Sequence, residues 1–355
     1  MYNLLKQILF HLPAEASHGL ALRSMDMAYR LGVLNALAVP PQQRSFPCTV
    51  MGIEFPNPVG LAAGLDKNAD HIEALAALGF GFVEVGTLTP RPQSGNPKPR
   101  LFRLKTEQAI INRMGFNNKG IDHALARIQA SRFKGVLGIN IGKNRDTPVA
   151  RAAEDYLVCL RKAYPFASYI VINLSSPNTP GLRALQFGEE LPQLLGLLKS
   201  EQHRLRAEHG KHVPLLVKIA PDLDNEEIAL IAEVLVQHGI EGVIATNTTL
   251  DRTAVLGSVH CNEAGGLSGA PLTARSTAVL RHLVACLAGR LPVIAVGGIM
   301  TAADAAEKFA AGAALVQLYS GFIYSGPRLI AECIQVARHE LTGPAVSARE
   351  QRQDA

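Results

Sequence analysis

Short apolar runs recur along most of the chain, each followed by a cluster of Gly, Asn, Asp, Thr or Ser and then by apolar positions at helical spacing. The runs are Val59–Ala63, Gly81–Gly86, Val136–Ile141, Tyr169–Leu174, Leu215–Ala220, Gly242–Ala245, Val293–Val296 and Leu315–Leu318. Eight strand–helix units with no ninth predict an α/β fold, a closed (β/α)8 TIM barrel, and no G-x-G-x-x-G follows the first strand as an open dinucleotide-binding sheet would require. Upstream, Leu5, Ile8, Leu9 and Leu12 share a helical face that breaks at Pro13, and a second helix is expected over Ala16–Leu37. Residues 1–45 therefore read as a small N-terminal helical domain, with Pro40 and Pro41 as its linker. Residues 46–342 form the barrel, entered through a hairpin at Cys48–Phe55 and carrying an inserted hairpin within Arg100–Phe116, and 343–355 form a polar tail.

Composition narrows the class without changing that outline. Apolar residues make up 48% of the 355 positions and charged residues 18%, enough to bury a sizeable core and too apolar for a disordered chain. Thirty-five basic against 30 acidic residues leave +5 without a dense basic block, so no nucleic-acid surface is expected. The five cysteines are scattered and form no C-x-x-C, which argues against disulfides and a zinc site and for a reducing compartment. No metal is expected. No apolar run approaches the ~18 residues of a membrane span. Ala36-Leu37-Ala38 has the form of a signal-peptidase site, but His18, Arg23, Asp26 and Arg30 interrupt the apolar stretch that secretion would need.

In a barrel the active site lies at the C-terminal ends of the strands, and here those positions hold amides, glycines and lysines rather than paired carboxylates. Asn112, Asn173, Asn178 and Asn247 offer acceptors and donors without charge, which suits a ligand whose edge alternates C=O and N–H, such as a pyrimidine or an imide. Lys67 and Lys218 bring positive charge. Lys218 lies inside an apolar run, where an ammonium calls for an anion or an electron-rich ring, so it either forms a Schiff base or stabilises a reduced cofactor. Gly297-Gly298, Tyr319-Ser320 and Gly265–Gly269 stand where barrels bind phosphate, pointing to a phosphorylated cofactor or substrate.

Four motifs make the chain resemble the class 2, quinone-dependent, membrane-associated dihydroorotate dehydrogenases of bacteria. They are Gly60-Leu-Ala-Ala-Gly-Leu-Asp-Lys67, Ile111-Asn-Arg-Met-Gly-Phe-Asn117, Asn173-Leu-Ser-Ser-Pro-Asn-Thr-Pro-Gly181 and Ile244-Ala-Thr-Asn-Thr-Thr249. The resemblance spans essentially the whole chain. It implies oxidation of (S)-dihydroorotate to orotate on one FMN per chain, with electrons passed to a membrane quinone, in de novo pyrimidine biosynthesis. It also implies a peripheral position on the cytoplasmic face of the cell membrane.

By the same resemblance Ser176 is the catalytic base that takes the C5 proton, helped by Thr179 and by water screened by Phe116. Class 1 relatives carry cysteine at that position, and none of the five cysteines here occupies it. The implied orotate contacts are Lys67, Asn112, Arg113, Met114, Gly115, Phe116, Asn173, Asn178, Asn247 and Thr248. Those for FMN are Ala63, Gly64, Leu65, Asp66, Lys67, Thr87, Asn140, Asn173, Lys218, Thr246, Gly269, Gly298, Tyr319 and Ser320. His18 and Arg103 match the polar residues that meet the quinone, and the two N-terminal helices match a hydrophobic entrance lying on the membrane. Two other readings stay open on residues alone: a Lys218 Schiff-base lyase, and a membrane scaffold whose function resides in its N-terminal helices.

Overall fold

A computed structural model describes residues 2–342. Two helices open the chain: α1 (Tyr2–His11), with no buried residue of its own, and α2 (Ala14–Arg30). The expected second helix stops short of Leu37. Gly32 takes a left-handed φ of 72°, and the amides of Gly32 and Val33 return to the carbonyls of Tyr29 and Ala28, a Schellman closure that ends α2. Strands β1 (Cys48–Val50) and β2 (Ile53–Phe55) pair as a hairpin whose turn residues, Met51 and Gly52, both have positive φ.

The barrel strands begin with β3 (Val59–Leu61) and β4 (Phe82–Leu88). After β5 (Leu101–Leu104) and β6 (Ala109–Asn112) come β7 (Val136–Ile141), β8 (Tyr169–Asn173), β9 (Leu215–Ile219) and β10 (Gly242–Ala245). The set ends with β11 (Gly266–Gly269), β12 (Val293–Val296) and β13 (Leu315–Leu318). Eight of them close into a parallel barrel in the order β10-β12-β13-β3-β4-β7-β8-β9, so the expected (β/α)8 fold is the observed one. Every barrel strand is buried along its length because helices cover its outer face and side chains fill its inner one. Two of the outer helices start with full capping boxes, Asp224 with Glu227 and Thr301 with Asp304. At the N-terminal end of the barrel Phe55 packs edge-on to Phe82, so the β1–β2 hairpin stoppers that end and leaves the other to chemistry.

The inserted hairpin is present as β5 and β6, but it is part of a larger unit. β11 joins it in a three-stranded antiparallel sheet, Gly266 pairing with Asn112 and Gly269 with Ala109. Gly265–Gly269, read from the sequence as a loop, is thus partly a strand. Its Gly-rich composition hid the pairing, which is set by a partner more than 150 residues away.

Candidate active site

The C-terminal strand ends converge on one cavity. The segment after β3 contributes Ala63, Gly64 and Lys67, and β4 contributes Thr87. From β6 onward come Asn112, Met114, Gly115 and Phe116; from β8 and the loop after it, Asn173, Ser176 and Asn178. β9 supplies Lys218, the end of β10 supplies Thr246, Asn247 and Thr248, and β11 supplies Gly269. Gly298, Tyr319 and Ser320 close the ring from β12 and β13. Glycine is required at 298, where φ is 71° and a Cβ would sit 2.3 Å from the Thr273 Cα.

Four residues expected in the site do not line this cavity. The Arg113 guanidinium turns away to pair with Glu263 at 2.5 Å and to cover the Phe102 ring at 4.6 Å. Asp66 is buried and takes the backbone amides of Asn68, Asp70 and His71, which folds the loop that carries Lys67. Leu65 faces a different cavity, described below. Asn140 lies beneath the wall, its amide donating to Glu84 at 2.8 Å and accepting from the Thr87 hydroxyl at 2.6 Å.

The amide cage is tied together by the chain itself. Asn178 Nδ2 donates to the Asn112 carbonyl at 3.1 Å, which joins the loop after β8 to the β6 edge. Asn247 Nδ2 donates to Ser175 Oγ at 3.0 Å and Asn173 Nδ2 to Thr87 Oγ1 at 2.8 Å. Ser176 is buried, and its hydroxyl accepts from the Asn178 amide at 3.3 Å; Thr179 is buried beside it.

The two lysines differ in setting. Lys67 donates to the Gly64 carbonyl; burial pulls its ammonium down to about 8, Arg100 pushes the same way, and Glu15 and Asp66 oppose. Lys218 is buried and makes no hydrogen bond or ion pair among the described residues. Burial lowers its pKa and the carboxyl of Glu84 acts against that. Glu84 and Gln317 are the important residues the sequence reading passed over, yet each is a polar residue inside an otherwise apolar strand run, a pattern that marks a built polar core.

A second cavity lies between α1, α2 and the barrel and is lined mainly by Leu5, Ile8, Leu9, Phe10, Leu20, Leu22, Met25, Leu65 and Phe322. Tyr319 lines both cavities, and its hydroxyl donates to the Gly64 carbonyl at 3.3 Å. His18 and Arg103 are in this second wall. Burial drives the His18 imidazole down to about 3, with Lys67 and His71 adding to the effect, so it is neutral at physiological pH. Arg103 spans the end of α1, donating to the carbonyls of Leu9 and Leu12 with its guanidinium 4.6 Å over the Phe10 ring. No helix among the described residues is long and apolar enough to cross a membrane.

Fold and site together define a (β/α)8-barrel protein whose strand ends hold an amide-lined cavity, with an apolar chamber abutting it. The family pattern of dihydroorotate dehydrogenase matches residues 46–341, and the chain belongs to that family. It is 60% identical over 336 residues to the dihydroorotate dehydrogenase (quinone) of Nitrosospira multiformis, covering 95% of each chain. The protein of that name from Stutzerimonas stutzeri is 61% identical over 94% of this chain and 97% of its own. Among solved structures, DHODH from Eimeria tenella in complex with ferulenol superposes with a TM-score of 0.82 at 39% identity, covering 92% of this chain and 93% of that one.

Proposed function

We infer that this chain oxidises (S)-dihydroorotate to orotate in pyrimidine biosynthesis and delivers the electrons to a quinone. The observation that carries this is the shared wall: an amide cage and an apolar chamber meet at Tyr319 and the Gly64–Lys67 loop. Family membership supports the same reading and leaves the Schiff-base role of Lys218 without support. A pure scaffold would have no use for the cage.

The resident flavin is FMN in this reading, and the residues fit it. Among the described residues Lys218 is a buried cation with no hydrogen bond or ion pair and Gln317 Oε1 a buried acceptor with no donor, so both can meet a bound group. Gly269, Gly298, Tyr319 and Ser320 would hold its phosphate through backbone N–H groups, and Ala63, Gly64, Thr87 and Thr246 its ring. When bound, FMN supplies the acceptor for the hydride leaving C6 of dihydroorotate and the source of electrons for quinone.

The chain's own residues bind and orient. Asn112, Asn173, Asn178 and Asn247 match the C=O and N–H edge of the pyrimidine, and Lys67 meets its carboxylate. Ser176 removes the C5 proton; burial excludes water around its hydroxyl, and Thr179 leads the proton away. Phe116 screens that path. Neutral His18 donates to a quinone carbonyl, while Arg103 supplies charge at the chamber wall.

Leu4 on α1, Met27 on α2 and Leu31 just after it expose apolar surface outside the chamber lining, which supports a peripheral seat on a membrane surface, the cytoplasmic face in this reading. The test is an anaerobic absorbance spectrum: a flavin band that bleaches with dihydroorotate and returns with quinone is expected. Protein that carries no flavin overturns the reading; a band that bleaches and resists quinone overturns the acceptor.

A further inference from the structure

Beneath the cage, Glu84 on β4 is fully buried inside the barrel and receives hydrogen bonds from side chains on three other strands, β7, β8 and β13. Its Oε2 accepts from Gln317 Nε2 at 2.6 Å and from the Tyr169 hydroxyl at 3.1 Å, and its Oε1 from Asn140 Nδ2 at 2.8 Å. It donates to nothing. From Asn140 the bonding runs outward with one sense. Asn140 Oδ1 accepts from Thr87 Oγ1 at 2.6 Å, whose oxygen accepts from Asn173 Nδ2 at 2.8 Å. Asn173 Oδ1 accepts from Ser175 Oγ at 3.2 Å, which accepts from Asn247 Nδ2 at 3.0 Å. Side links keep the same direction, Asn173 Nδ2 to Asn140 Oδ1 at 3.2 Å and Asn247 Nδ2 to Asn173 Oδ1 at 3.4 Å.

A primary amide has two ends of nearly equal shape, one accepting and one donating, so packing alone does not choose between its two orientations. A backbone N–H can only donate, and two of them fix the outer members: Ser175 N–H donates to Asn173 Oδ1 at 3.3 Å and Thr248 N–H to Asn247 Oδ1 at 2.8 Å. Among the described residues Gln317 Oε1 receives no such bond, and its Nε2 meets Glu84. We propose that Glu84 is a positioning residue at the inner end of this polarity: it takes Asn140 Nδ2 and turns Gln317 so that its Oε1 is left for the ligand, while backbone amides hold the outer end at Asn173 and Asn247. Bonds aligned in one sense also polarise one another. The proposal rests on the oxidoreductase reading above and adds to it the origin of the site's recognition pattern.

The alternative is a purely structural cluster, and three substitutions separate the two. In Glu84→Gln the new amide presents one donor end, so either Gln317 or Asn140 meets donor with donor and turns over. Tyr169→Phe removes a donor from the same buried cluster and leaves every orientation as it was. Ser175→Ala removes a hydroxyl from the amide chain without touching the cavity wall, and the backbone amides of residues 175 and 248 keep Asn173 and Asn247 oriented. The flavin-loaded proteins are titrated with orotate, followed by the flavin spectrum, and FMN release is followed by fluorescence.

Glu84→Gln is expected to raise the orotate dissociation constant roughly tenfold or more, the size of effect for one mispaired buried polar group. Glu84→Asp should restore much of the loss. Ser175→Ala and Tyr169→Phe should each stay within about threefold of wild type, with FMN retained. Wild-type orotate binding and FMN release in Glu84→Gln overturn the proposal, as does a loss in Tyr169→Phe or Ser175→Ala equal to that in Glu84→Gln. If circular dichroism shows Glu84→Gln unfolded, Gln317→Leu, which keeps the bulk and removes the unpartnered Oε1, decides when measured against Tyr169→Phe: FMN release and orotate binding as in wild type overturn the proposal. Wild-type protein that holds no flavin fails the functional reading instead, a result visible before any variant is made.

Discussion

The barrel mouth and the chamber under α1 and α2 share Tyr319 but are built on opposite principles. At the mouth, side-chain amides and hydroxyls bond to one another across β4, β7, β8 and the ends of β10, so position is enforced atom by atom. In the chamber, leucines, isoleucine and phenylalanines set a shape, and the polar residues are few. Directional bonds specify one small polar ligand, because a wrong edge leaves a buried group unpaired. Apolar contact scales with area and accepts a family of greasy molecules. The mouth is suited to one substrate and the chamber to a tailed, lipid-soluble acceptor.

The contrast breaks most sharply at Ser176. Ser176→Ala should slow flavin reduction by dihydroorotate by about 10²–10⁴-fold, the usual contribution of a positioned base, with FMN still bound and quinone reoxidation untouched. Stopped-flow bleaching checks it, and a wild-type rate removes Ser176 as base. The reverse experiment deletes residues 1–41. Bleaching by dihydroorotate should persist, while turnover with a long-tailed quinone falls roughly tenfold or more and vesicle co-sedimentation is lost. Leu22 and Leu34, now buried, leave with the segment, so Tm falls too.

Two gentler changes sharpen the comparison. Leu4→Asp with Leu31→Asp alters exposed residues outside the chamber lining and should weaken vesicle binding by about tenfold, with the dihydroorotate half-reaction unchanged. Equal vesicle affinity would move the membrane contact elsewhere. The smallest effect is a pH dependence at Lys67. Its pKa is lowered to about 8, so the charge proposed to meet the ligand carboxylate is present below that value and fades as pH rises through it. Orotate binding should weaken by roughly threefold between pH 7 and pH 9, and a flat profile would separate Lys67 from the carboxylate.

The barrel was legible in the chain because eight apolar runs, each followed by turn residues and a helical pattern, report a local requirement: a parallel strand buried on both faces is apolar throughout. The cage residues were legible for a related reason, since barrel chemistry sits at the C-terminal end of each strand and Asn173, Lys218 and Asn247 stand at or just past those ends. Helix α2 ended early because Gly32 allowed a closing turn that an apolar pattern does not register. β11 was missed because its pairing with β6 depends on a partner distant in sequence.

Direction and partnership belong to the tertiary structure. The sequence by itself determined that a polar residue occupies position 84 and another position 317, within strands that are otherwise apolar. Only the closing of the barrel brought Glu84, Asn140, Tyr169 and Gln317 onto one buried point, and turned Arg113 outward to Glu263. The physical reason is that hydrophobic periodicity is set residue by residue along the chain. A hydrogen bond needs two atoms at about 3 Å in a fixed orientation, and strands far apart in sequence reach that geometry only after they have packed.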